Sequence, residues 1–211
     1  MIHKPSLSTV ACLTAAALTF GAGASAQAER YSAQITPMNA TITGSETRGE
    51  ALLTVDGDQL TIDIKVSGAP ANTVHWQHFH GLLTDAAASC PDASADANDD
   101  GIVDLIETGA AAGTTMVPFD KAPAAMDVAH GSYPTADADG SYHYQQTVSL
   151  KELSDAFAKA FEGQQLDLDR RVIFIHSVPE ATTLPATVQS LGPIPAAVTL
   201  PIACGKIERQ E

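Results

Sequence analysis

Three of the seven histidines in this chain fall within six residues, His75-Trp76-Gln77-His78-Phe79-His80. The run closes residues 73–80, which alternate like a β-strand, and a strand turns every second side chain to the same face. His78 and His80 therefore look the same way, while His75 looks the other way and suits packing or hydrogen bonding. Two neutral imidazoles held side by side form half of a site for copper or zinc. The competing reading is a polar strand end exposed to solvent with no ligand.

A second chemistry lies in residues 96–107, Asp96-Ala97-Asn98-Asp99-Asp100-Gly101-Ile102-Val103-Asp104-Leu105-Ile106-Glu107. Side-chain oxygens fall at positions 1, 3, 5, 9 and 12, and glycine falls at position 6. That is the twelve-residue EF-hand spacing, which wraps hard oxygens around one calcium ion. Asp96, Asn98, Asp100, the Ile102 carbonyl, Asp104 and Glu107 are the expected calcium ligands. A solvated acidic loop is the competing reading. No second copy of the motif and no long entering helix accompany it, so a structural clip fits better than a paired-hand sensor.

Strands must position these groups. Residues 31–38 alternate loosely. Residues 49–55 and 60–66 flank Asp56-Gly57-Asp58 and predict a hairpin. Further strands are expected over 73–80, 142–150, 171–176 and 197–207, with a turn at Asp137-Ala-Asp-Gly140. One short helix is expected over 149–161, where Leu150, Leu153, Phe157 and Phe161 recur at helical spacing. Residues 82–134 and 178–196 read as long loops, a length that is usually functional or disordered. The fold class is all-β, an antiparallel barrel or sandwich carrying two large loops.

Residues 1–26 read as an export signal: Lys4, a short apolar stretch over 10–20, then small residues offering cleavage after Ala26 or Ala28. Cleavage would remove Cys12 and leave a single domain, residues 27–211, about 185 of the 211 residues. It would carry the calcium loop 96–107 as an insertion and no integral membrane segment. The product is expected to be exported, periplasmic or extracellular. Two cysteines then remain, Cys90 and Cys204, and in an exported protein they most simply pair. Their bridge would close a loop of over a hundred residues, worth roughly 4–5 kcal/mol in the chain-entropy model. With 11 basic against 25 acidic residues, the formal net charge is −14. Such a balance argues against nucleic acid as a partner and gives no attraction to a small anion.

Taken in order, these motifs resemble the copper/zinc superoxide dismutase family. His75-x-x-His78-x-His80 is similar to that family's copper-binding strand, and Cys90 follows where its first bridging cysteine stands. Arg171-Val-Ile-Phe-Ile-His176 is similar to the late strand ending in another copper histidine. Leu200-Pro-Ile-Ala-Cys204-Gly-Lys-Ile207 is similar to the closing strand with the second cysteine. The resemblance implies an eight-stranded Greek-key barrel, a Cys90–Cys204 disulfide, and His78, His80 and His176 as copper ligands.

The chain departs from that family's pattern in several places. No bridging histidine follows Cys90. Only His130 stands near the family's zinc site, with Tyr133 about where its aspartate would be, so zinc is not expected. His130 is a candidate fourth copper ligand, and His143 reads as surface. Pro201 replaces the arginine that holds the anion, and residues 180–196 contain no lysine or arginine. Glu180 stands where the family keeps a carboxylate that orients a ligand, with a solvated loop acid as the competing reading. Two functions follow from the resemblance. One is copper-dependent dismutation of superoxide to oxygen and hydrogen peroxide, with superoxide or another small molecule as partner. The alternative is a non-catalytic copper- and calcium-binding module, like the chordin-type domains, at the cell surface or in the periplasm.

Overall fold

The computed structural model describes residue 1, residues 27–84 and residues 86–211; apart from Met1, the expected leader, with Cys12, lies outside the described residues. The framework is antiparallel. Its strands are β1 (Glu29–Pro37), β2 (Arg48–Asp56), β3 (Gln59–Ser67), β4 (Gln77–Gly81), β5 (Thr114–Pro118), β6 (Tyr142–Ser149), β7 (Val172–His176) and β8 (Pro201–Lys206), with a two-residue β9 (Glu208–Arg209) beside β1. The order β5-β4-β7-β8-β1-β2-β3-β6 forms one sheet curled into a half-barrel. β1 joins its two halves: residues 29–35 pair with β2, and Thr36 and Pro37 pair with Cys204 and Ala203 of β8.

Alternation explains the inner face. Leu60, Ile62, Ile64 and Val66 of β3 are buried, as are Ala51 and Leu53 of β2 and Ala33 and Ile35 of β1. Their neighbours in sequence face outward, as a half-buried strand requires. β4 and β7 differ, because every residue in both is buried. Their inner side chains, Phe79, Ile173 and Ile175, belong to the main core. Their outer side chains lie under residues 82–134 and 178–196, so the long loops supply a second layer over this part of the sheet.

One helix of the expected length is present, Leu150–Ala160. Ser149 caps it by accepting from the Glu152 amide at 3.1 Å, which satisfies one of the first-turn donors. Leu153 and Phe157 face the core, with Phe157 edge-on to Phe79 at 6.1 Å. Three single-turn helices also occur, at Ala40–Thr43, Gly109–Ala112 and Ala196–Thr199. Among the described residues, no helix is long and apolar enough to cross a membrane.

Three expectations about elements are corrected. The strand read over 73–80 begins only at Gln77; before it, Val74 makes an isolated bridge to Thr135. The strand read over 197–207 begins at Pro201, because Ala196–Thr199 turns as a helix closed by the Leu200 amide on the Ala196 carbonyl. The stretch 82–134 contains β5, which pairs with β4. A glycine makes that pairing possible. Gly113 has φ +75°, and a Cβ there would collide with the Gly81 carbonyl, so only glycine permits this approach.

Candidate metal centre

His78 and His80 stand on the outer face of β4. Antiparallel pairing sets His78 opposite Phe174 and His80 opposite Val172 on β7. His176 closes β7 on the same face as Phe174, two residues along. The His176 amide donates to the Trp76 carbonyl at 2.8 Å, which locks the end of β7 beside the start of β4. Ser177 follows at φ +91°, a sparsely populated region for a residue with a side chain, and turns the chain away into the second long loop.

The three rings converge. Ring centres lie 4.9 Å apart for His78 and His80, 4.6 Å for His78 and His176, and 6.0 Å for His80 and His176. Each residue offers a ligand atom, and the three atoms lie within 4.8 Å of one another. Exposure is 3% for His78, 1% for His80 and 2% for His176. The reading of a polar strand end open to solvent is therefore corrected: the long loops cover it.

Hydrogen bonding determines which nitrogens are free. His176 Nδ1 lies 2.7 Å from the Thr199 carbonyl. A carbonyl can only accept, so Nδ1 carries the proton and Nε2 presents a lone pair. Thr115 Oγ1 lies 3.0 Å from His80 Nε2. The buried nitrogens His78 Nδ1, His80 Nδ1 and His176 Nε2 have no hydrogen-bond partner. Buried polar atoms without partners are uncommon and costly, and three in one cluster share one remedy. A metal ion would satisfy them together, so the donor set fits a site for a metal that accepts imidazole.

Burial acts in the same direction. It is the largest cause holding His80 down at about 3 and His176 at about 4, against an ordinary 6.5. It also takes His78 well below that value, helped by the neighbouring imidazoles. The rings are thus neutral and ready to ligate at ordinary pH. For the metal-free protein the sign is fixed: between about 4 and 6.5 the unfolded chain binds more protons than the folded one. Stability should therefore fall as pH drops from 7 toward 4. Urea unfolding at pH 7 and pH 5 measures this as a lower midpoint at pH 5.

Other candidates lie elsewhere. His130 is not drawn into the cluster: its side chain is 82% exposed and pairs with Asp127 at 3.0 Å. Glu180 is exposed, and the group that orients His176 is the Thr199 carbonyl. His143 is exposed and meets Asp63 at 3.0 Å. Tyr133 stacks on Trp76 at 5.2 Å and donates to the Val128 carbonyl. His75 is buried against the carbonyls of His176 and Pro70, both at 3.0 Å. It supports the backbone of a cluster residue and takes no place in the cluster.

Among the described residues, no other group of three histidine, cysteine or acidic side chains converges in this way. In residues 96–107 the acidic groups are engaged by amides. Asp96 accepts from Asp100 and Gly101, Asn98 from Asp100, and Asp100 from Ile102. Asp104 accepts from Ile106 and Glu107, and Glu107 accepts from Ala97 and Asp104. Cys90 and Cys204 form a disulfide that ties the first long loop to β8.

The site also includes residues that the sequence reading passed over: Thr115, Thr199, Trp76 and Phe174. Thr115 lies in Thr114-Thr-Met-Val-Pro118, whose β-branched content is a strand signal. The role of Thr199 rests on a backbone carbonyl, which leaves no mark in side-chain pattern. The chain matches no protein-family model, and no curated protein matches it.

Proposed function

We propose that this chain is an exported copper-binding β-barrel protein of the copper/zinc superoxide dismutase type, with His78, His80 and His176 as the copper ligands. The observation that carries the reading is the set of three unpartnered imidazole nitrogens, buried together on two adjacent strands. The strand order supports a Greek-key path. β4 and β5 fall between β3 and β6 in sequence yet lie in the other half of the sheet, and β7 follows β6 back to that half, so the chain crosses over three times. Three neutral imidazoles suit copper in both of its common oxidation states, and a copper ion held there would supply one-electron chemistry. Thr199 keeps His176 in the ligating tautomer, while Phe174 and the loop layer keep bulk water from the outer face of β4.

Copper binding without fast dismutation is the favoured form of this reading. The cavity that reaches His78 and His176 is lined by no charged side chain, so no protein charge helps to draw in or hold an anion. Loading with copper, metal analysis and a superoxide-decay assay test this directly. We expect about one copper per chain and decay far below the diffusional ceiling of roughly 10⁸–10⁹ M⁻¹ s⁻¹. Decay near that ceiling would select the dismutase instead, and a chain that takes up no copper would defeat both.

We also assign calcium to residues 96–107. The twelve-residue spacing of Asp96, Asn98, Asp100, Asp104 and Glu107 about Gly101 supports the assignment. The loop is anchored from outside by Asn39, whose side chain bonds both the amide and the carbonyl of Val103 at 2.9 Å. Calorimetry should detect calcium binding, and chelator should raise the rate of proteolysis within 96–107. An absence of heat together with unchanged proteolysis would remove calcium from the proposal.

A further inference from the structure

Beside the histidines lies a cavity of about 210 Å³, the space of roughly seven waters at about 30 Å³ each. Trp76, Leu105, Val128, Leu191, Ile194 and Val198 supply most of its wall, and His78 and His176 form its floor. We propose that it binds a small uncharged molecule with an aromatic or aliphatic face, seated against Trp76 beside the histidine cluster.

The walls set the ligand class. Apolar surface rewards an apolar face by about 25 cal/mol per Å² removed from water. An anion entering the same space loses hydration and meets no cation among the lining residues. Residues 180–196, which run past the mouth, contain no lysine or arginine, and the whole chain carries −14. Arg171, at the other end of β7 from His176, is not among the lining residues; it donates to the Leu166 and Gln165 carbonyls and sits over Phe157. A bound metal would be the single attraction for an anion, whereas a neutral ligand gains from the walls whether or not metal is present.

The cavity is held open in a definite shape. Trp76 is fixed by its stack on Tyr133, with the rings 21° apart. The two loops that roof the cavity are tied together: the Gln189 amide donates to Asp104 at 2.7 Å, and Thr187 donates to Asp100. These bonds lie just before Leu105 on one loop and just before Leu191 and Ile194 on the other. A few polar atoms near the floor, the hydroxyl of Thr115 among them, could orient a ligand within the otherwise apolar space.

The inference rests on the proposed metal reading only in placing a metal next to the ligand, and its test separates the two. Indole serves as the neutral probe and azide as the anionic one. Both are titrated into the metal-free and the copper(I)-loaded protein, copper(I) being diamagnetic, while amide resonances are followed by NMR. Indole should shift the amides of Trp76, Thr115, Leu191 and Val198 in both forms with similar affinity, and azide should shift none of them in the metal-free form. Ile194→Lys should weaken indole at least tenfold and let azide bind. The proposal is overturned if indole leaves those amides unmoved, if azide binds the metal-free protein as tightly, or if Ile194→Lys leaves both affinities unchanged. A protein that binds indole but no metal would refute the metal reading and leave the cavity standing.

Discussion

His176→Ala should lose stoichiometric metal. The ring supplies one of three converging nitrogens, and the two that remain, on His78 and His80, come from a single strand. Loss of a group that merely orients a ligand costs about 10–100-fold in metal affinity. Removal of a ligand itself should cost at least about a hundredfold, because only two of the three converging imidazoles remain to hold the ion. His78→Ala should behave alike. His130→Ala and His143→Ala should leave affinity unchanged, since both side chains are exposed and paired with aspartates outside the cluster. Competition titration with a chromophoric chelator, followed by metal analysis, distinguishes these outcomes. Equal losses in His130→Ala and His176→Ala would mean that the cluster is not the binding site.

The double replacement Cys90→Ser, Cys204→Ser should remove about 5 kcal/mol of stability. The bond joins positions 114 apart in sequence, and in the chain-entropy model a loop of that length is worth about that amount. A whole domain is usually stable by only 5–15 kcal/mol, so the variant is expected to unfold at far lower urea concentration. There is a local consequence as well. Cys204 is packed with Val172 and Phe174, whose other neighbours include Ala88, Ala112 and Cys90 from the first long loop. Phe174 in turn lies 4.6 Å from the His80 ring and 5.6 Å from the His176 ring. Loosening that loop should therefore expose the back of the histidine cluster. Urea titration measures the first effect, and hydrogen exchange at the His80 and His176 amides the second. A change below 1 kcal/mol would show that the reduced, unfolded chain is already restricted.

Side-chain pattern makes part of this legible. The hairpin of β2 and β3 follows from Gly57 in the turn and from Leu60, Ile62, Ile64 and Val66 spaced by two, because one face of that strand is buried and the other wet. β4 and β7 give no such contrast. Both of their faces are buried, so alternation does not mark where β4 begins, at Gln77 rather than at residue 73, and β5 lies in a stretch rich in small and polar residues that carries little periodic signal. The helix at Leu150–Ala160 was readable because a single stripe, Leu153 and Phe157, meets the core.

What the sequence determined by itself is the local chemistry. Strand phase puts His78 and His80 on one face and His75 on the other, the leftover cysteines point to one bridge, and the net charge of −14 gives no attraction to a small anion. What only the tertiary structure decided is long-range. The pairing of β4 with β7 brings His176 to His78 across nearly a hundred positions of sequence. The loops bury that face, and the Thr199 carbonyl leaves Nε2 of His176 free. Register and loop closure depend on packing between distant segments, which periodicity along one strand does not encode. For the same reason His130, close to the expected place in sequence, ended on the surface, and two histidines on one strand became a cluster of three.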